Sequence, residues 1–330
     1  MVELIESVAL VRKFLGLQGF KLDDIIEKQG FARNKAIDEA KEAVNENDQT
    51  RKRYEVMARE VFIKFKACIN VPGVNTQRDG RDGIDIIYKR LQADREQADI
   101  TDIMRQLHGI VDETIHTHAG VRETRAESND VYDISKIDFE RLRKEFEAST
   151  TKRTTVQGLK DAVESKLNRL LMQNPLRTDY QEHYEKLVKE YNQEKDRITI
   201  EKTFEALIKL VDGLDKEESR AVRENLTEET LALFDLLRKP DLSKKETDKI
   251  KKVAVQLLET LKAESLKISN WRDKEATRDA VKQQIFDFLY EDKTGLPEED
   301  YSDEDIQTLA QSVYWHVYRA YPIVPSPLYT

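Results

Sequence analysis

The chain has 330 residues, a formal net charge of −9 at pH 7, 39% hydrophobic residues and 36% charged ones. So low an apolar share, with only 11 Gly and 7 Pro, excludes turn-rich all-β and dinucleotide-binding folds and fits helices with many solvated faces. The acidic balance excludes wholesale wrapping of nucleic acid but leaves room for a local basic patch. The single cysteine, Cys68, excludes an intramolecular disulfide, and no apolar stretch nears the roughly 18 residues of a membrane span.

Residues 2–31 read as helix, turn, helix, punctuated by Gly16, Gly19 and Gly30. Residues 34–69 carry helical spacing throughout: Ala36, Ala40 and Val44, then Tyr54, Ala58, Val61, Phe62 and Phe65. A breaker cluster, Val71 to Thr76, closes this helix. Arg78-Asp-Gly-Arg-Asp-Gly83 is predicted as a charged loop ahead of a helix over 84–94. A further helix is expected over 99–115, with Ile103, Leu107, Ile110 and Val111 on one stripe. The polar run 122–130 is expected to be a loop or linker, and helix resumes over 138–147. The polar segment Thr150 to Thr155 marks the boundary between an elongated helical domain, 1–150, and a C-terminal helical domain, 151–330.

In the second half, the helix over 156–172 is stopped by Asn174-Pro175, because proline cannot continue the ladder and its predecessor avoids the α region. Helices follow over 178–191 and from Thr203. Ser243 and Glu246 form a capping box, and the helix they open shows Ile250, Val253, Ala254, Leu257, Leu258 and Leu261 as one apolar stripe. Ser302 caps the last helix, with Asp303 and Asp305 suited to its dipole. Ile306, Leu309, Ala310, Val313 and Val317 form its stripe, and Pro322 ends it. No repeat of 20–50 residues is present. The expected fold class is all-α with two lobes, in a soluble cytoplasmic chain.

Catalytic constellations are missing from the sequence. It holds no phosphate-cradling G-x-x-x-x-G-K-[ST] loop, no G-x-G-x-x-G, no nucleophile elbow and no H-E-x-x-H. The glycines of 78–83 lack the flanking strand and the lysine-hydroxyl pair of a phosphate loop. His116 and His118, with His108 upstream, fall short of a zinc set, and residues two apart diverge on a helix. Glu228-Glu229 and Glu298-Glu299 sit at helix starts, where acids suit the dipole, rather than in a perturbed acid–base pair. Cys68, in the apolar context 65–69, reads as a small hydrophobe. No catalytic residue, bound cofactor, metal ligand or small-molecule substrate is expected.

Two surfaces stand out. Lys274, Arg278 and Lys282 form an i, i+4, i+8 row with Arg272 nearby, opposite Val281, Ile285, Phe288 and Leu289. Such a row suits phosphates or an acidic partner, and the spacing equally fits a solvated face opposite a core stripe. Tyr314, Tyr318 and Tyr321, with Trp315 among them, form an aromatic ridge at i, i+4, i+7. It suits either a protein interface or packing between helices.

From residue 132 onward the chain carries in order Leu167-Asn-Arg-Leu-Leu-Met-Gln-Asn-Pro-Leu-Arg-Thr-Asp-Tyr180, Arg220-Ala-Val-Arg-Glu-Asn-Leu-Thr-Glu-Glu229 and Asn270-Trp-Arg-Asp-Lys274, and these segments resemble the R (motor and restriction) subunit of type I restriction-modification enzymes. Tyr132-Asp-Ile-Ser-Lys-Ile-Asp-Phe-Glu-Arg-Leu-Arg-Lys-Glu-Phe146 is similar to the stretch before that family's terminal domain. Leu167 to Tyr180 resembles its L-x-x-N-P-x-R-x-D-F/Y segment, followed by Val188-Lys-Glu-Tyr-Asn192. Arg220 to Glu229, Phe234-Asp-Leu-Leu237, Asn270-Trp-Arg-Asp-Lys274, Thr277-Arg-Asp-Ala-Val281 and Trp315-His-Val-Tyr318 fit as well. The first 130 residues fit by position only. The resemblance implies a fragment holding the helical and C-terminal domains, without the nuclease and the two motor lobes that use ATP and Mg²⁺. It further implies docking onto the modification and specificity subunits in a bacterial or archaeal cytoplasm. A DNA-binding module that guides duplex to the motor is the alternative.

Overall fold

A computed structural model describes residues 1–100, 102–103, 107, 139–193, 197–240, 242–291, 294–297 and 299–329. Among these every regular element is a helix and no strand occurs, so the chain is all-α, as its composition and periodicity predict. No described helix is long and apolar enough to cross a membrane. Most of the expected 99–115 helix, the 122–130 run, and His108, His116 and His118 lie outside the described residues. The chain divides into two compact units, Met1–Ser165 with Tyr184–Asp212, and Lys166–His183 with Gly213–Thr330.

The first unit holds α1 (Val2–Leu17), α2 (Asp23–Glu27), α3 (Gly30–Val44), α4 (Asp48–Ala67), a 3₁₀ turn (Val74–Gln77), α5 (Arg78–Glu96) and α6 (Phe139–Ala148). It also takes parts of α7 (Lys152–Gln173), α8 (Thr178–Gln193) and α9 (Arg197–Glu218). Helices α1 and α4 pair, and α5 lies against both. Leu4, Val8, Val11, Tyr54, Ala58, Val61, Ile84 and Ile87 fill the core between them. The Tyr54 hydroxyl donates to the Ile84 carbonyl at 2.8 Å, so even this buried phenol has a partner.

Two expectations need correction here. The apolar run of 34–69 is two helices, because Asn47 is extended (φ −163°) and its side chain accepts from the Thr50 N–H at 2.8 Å. The apolar period crosses the break since both helices face one core, and only the capping asparagine marks the new start. Residues 78–83 are the opening turns of α5 rather than a loop. Their glycines serve close packing: a Cβ on Gly80 would meet Val8 Cγ1 at 3.0 Å, and one on Gly83 would meet Leu22 Cδ1 at 3.1 Å. The helix propensity lost, about 1 kcal/mol per glycine, is offset by that near contact.

Charged side chains are built into the interior of this unit. Buried Arg51 donates to Asp161 at 2.9 Å and to the Leu91 carbonyl at 3.1 Å. Buried Lys160 pairs with Asp48, and Asn192 also donates to that carboxylate at 2.9 Å. Glu42 accepts from the N–H groups of Arg153 and Thr154 at 2.7 and 2.9 Å. It satisfies the open start of α7 with a carboxylate brought from α3, where anions are favoured.

The second unit completes α7 to α9 and adds α10 (Arg220–Arg223), α11 (Glu228–Leu237), α12 (Lys244–Ala263), α13 (Glu275–Tyr290) and α14 (Asp303–Ala320). The predicted caps are present at Ser243 with Glu246 and at Ser302 with Asp305, and Thr227 with Thr230 adds a third. The α12 stripe from Ile250 to Leu261 is buried against Leu231, Phe234 and Leu237 of α11 and Val281, Ile285 and Leu289 of α13.

Between α7 and α8, Arg177 is 4% exposed. It donates to Glu217 at 3.0 Å, to Glu228 at 3.0 Å and to the Leu170 carbonyl at 3.4 Å. Arg220 joins Glu217 at 3.0 Å and also pairs with Asp235, which accepts from Asn174 at 2.6 Å. Replacing Arg177 by Met leaves Glu228 without its cation and Glu217 with Arg220 alone, and one-sided disruption of a buried ion pair costs about 3–5 kcal/mol. We expect a loss of that size for R177M in urea denaturation followed by circular dichroism.

Candidate interaction surface

All the residues singled out at the surface lie on α13, on α14 with its C-cap Tyr321, and in the segment before α13. Asn270, in the left-handed region (φ 55°), turns the chain so that Trp271 enters the core. Asparagine tolerates this conformation better than most side chains. The Trp271 indole N–H donates to the Tyr321 carbonyl at 2.8 Å. Arg272 donates to the Tyr318 carbonyl at 3.0 Å and lies 5.3 Å from that ring's centroid. Arg278 in turn donates to the Arg272 carbonyl at 2.7 Å. Asn270 to Lys274 therefore work as a clasp between the start of α13 and the end of α14.

The cationic row is accordingly divided. Lys274 precedes the helix at its N-cap and is exposed. Arg278 is half-buried and committed to the clasp. Lys282 is exposed, pairs with Asp279 at 3.0 Å and lies 5.1 Å from the Tyr314 ring centroid. The hydrogen bond it donates to Asp279 raises the Lys282 pKa, so this ammonium is charged throughout the physiological range.

The tyrosine ridge is divided too. Tyr314 and Tyr321 are buried and Tyr318 is half-buried, whereas Trp315 is 48% exposed. Trp315 lies edge-on to Tyr314 at 5.3 Å and to Tyr318 at 5.7 Å, an arrangement aromatic pairs favour. At 3.6 residues per turn, Trp315 stands two and a half turns from Ile306 and so faces away from the stripe. The spacing of the three tyrosines drew attention to the edge of the core instead. The face that solvent meets carries the indole and exposed Arg319, whose Nε donates to the Trp315 carbonyl at 3.3 Å.

Behind Trp315, His316 is 3% exposed. Its Nε2 lies 3.0 Å from the Tyr329 hydroxyl, which donates to the Gln173 carbonyl at 2.6 Å. With the phenolic proton so placed, Nε2 is the protonated nitrogen of a neutral ring. Burial, with Arg319 adding to it, lowers the His316 pKa to about 4. Among the described residues no group of three or more His, Cys, Asp or Glu could hold a metal.

Between pH 4 and 6.5 the unfolded chain holds the His316 proton and the folded one does not. The histidine's contribution to stability is therefore complete above pH 6.5 and is lost as pH falls toward 4. Comparing wild type with H316F by urea denaturation, we expect wild type to lose about 2 kcal/mol more between pH 7 and pH 5. Parallel losses in the two proteins would contradict this assignment.

The family model described as "Type I restriction enzyme HindI endonuclease subunit-like, C-terminal" matches residues 1–315. The match includes the first 130 residues, whose own motifs are weak, and ends at Trp315. No curated protein and no solved structure gives a significant match.

Proposed function

The chain belongs to the family of C-terminal regions of type I restriction enzyme HindI-like endonuclease subunits, and from that premise we propose that it is a non-catalytic docking piece. It would hold the ATP-dependent translocase and nuclease portion of the subunit onto the methyltransferase core of modification and specificity subunits. The family description names an endonuclease subunit, which supports membership in a multi-subunit enzyme. The observation that carries the docking reading is Trp315, an indole half open to solvent on a rigid, capped helix. Tryptophan, tyrosine and arginine are the residues on which binding energy concentrates at protein interfaces. Here Trp315 is pre-oriented by Tyr314 and Tyr318, with Arg319 one turn on, so little side-chain freedom remains to be lost on binding.

The alternative, a basic row on α13 that grips duplex, has less to work with. Arg272 and Arg278 donate to backbone carbonyls, and Lys282 is paired with Asp279. The clasp thus uses Arg272 and Arg278, and leaves Lys274 and the ion-paired Lys282 to meet phosphates.

Titration of the intact chain with its cognate modification and specificity subunits tests the proposal. We expect W315A to weaken association about 30-fold, equivalent to roughly 2 kcal/mol, with an unchanged circular dichroism spectrum. Failure of the folded wild-type chain to bind the core would overturn the docking reading.

A further inference from the structure

Helix α4 buries Tyr54, Ala58 and Val61 completely. On its opposite side Lys52, Val56, Arg59, Ile63 and Lys66 follow one another at steps of four and three residues. They fall within ~80° of arc at ~100° per residue. The solvent side of such a helix is normally dominated by polar groups. Here Val56 is 56% exposed and Ile63 69% exposed, one heptad apart on a single seam.

The cations on either side are available. Lys52 and Lys66 are exposed, and neither has an ion-pair partner among the described residues. Arg59 is held in place without being covered: its Nε donates to the Tyr88 hydroxyl at 3.0 Å, its guanidinium lies 3.6 Å from Glu55, and its side chain is 56% exposed. The nearby acids are occupied. Glu60 pairs with Lys64 at 2.6 Å, and buried Glu55 takes Arg95 at 3.0 Å and Arg51 at 3.6 Å. A locally positive, partly apolar seam therefore stands on a chain whose net charge is −9.

We infer that this seam of α4 is a docking site for an acidic amphipathic helix of a partner protein. A 3–4 alternation is the pattern that a second helix covers when it lies alongside at about 20°. From residue 52 to 66 the seam runs about 21 Å at ~1.5 Å per residue, four turns of partner helix. The partner places apolar side chains against Val56 and Ile63 and Asp or Glu against Lys52, Arg59 and Lys66. The two aliphatic side chains favour protein over nucleic acid, because phosphates are met by cations and polar groups and gain nothing from an isoleucine. This site is in the first unit and is independent of Trp315.

The probe is a fluorescein-labelled peptide of three heptads, each Ile-Ala-Glu-Leu-Glu-Ala-Glu, with a scrambled peptide of equal composition as control. Binding to the full chain is read by anisotropy. We expect the amphipathic peptide to bind at least tenfold more tightly than the scrambled one. K52E/K66E and V56S/I63S should each weaken it at least tenfold with an unchanged circular dichroism spectrum, and W315A should leave it unaltered. Equal binding of the two peptides overturns the inference. So does tight binding of a duplex of about 20 base pairs that K52E/K66E abolishes and V56S/I63S leaves intact, which marks a phosphate-binding face. A homodimer in sedimentation that V56S/I63S dissociates also overturns it, assigning the seam to a second copy of the chain.

Discussion

The second unit depends on a guanidinium almost closed off from water. Arg177 is closed in by α7, α9 and α11, and its donors can be satisfied only if Glu217, Glu228 and the end of α7 stand where they do. A buried charge pair is not, for that reason, a large net source of stability, since desolvation offsets most of the attraction. What it supplies is selection among arrangements, because any alternative packing leaves an uncompensated charge in the interior. The stretch Asn174 to Arg177 thus has a structural reason for its composition. Proline stops one helix, asparagine bonds both the turn and Asp235, and arginine fixes the next helices around itself.

The first unit uses the same device with different residues. Arg51 and Lys160 are both buried, and each draws a carboxylate from another helix. Where a chain has few apolar residues to distribute, the apolar stripes are narrow and would tolerate sliding of one helix along another. Ionic contacts of fixed geometry remove that freedom.

Much of the fold was legible in the sequence because helix period, capping residues and proline act locally. The caps at Ser243 and Ser302 and the stop at Asn174-Pro175 rest on neighbours within a few residues. Where tertiary contact decided, local inspection failed. The glycines of 78–83 resemble a loop until Val8 and Leu22 are seen pressing on them. The break at Asn45 to Asn47 was hidden by an apolar period that continues because both helices face one core. The surface was less legible still. Arg278 reads as a free cation by spacing, but its partner is a carbonyl of the clasp segment, and a hydrogen bond to main chain leaves no trace in a charge pattern. Trp315 was discernible from its position opposite the stripe, yet the regular row of tyrosines, two of them packed between helices, gave the stronger signal.

The two tryptophans of the chain fall in the second unit, one sealed in its core and one open to solvent. An indole's emission depends on the water around it, so the pair forms an intrinsic optical gauge confined to this half of the molecule. Trp271 reports in the blue whether the clasp is closed. Trp315 reports in the red whether its face is wet or covered. The first unit is dark in this channel, so any change in tryptophan emission can be assigned to the second unit without an added label.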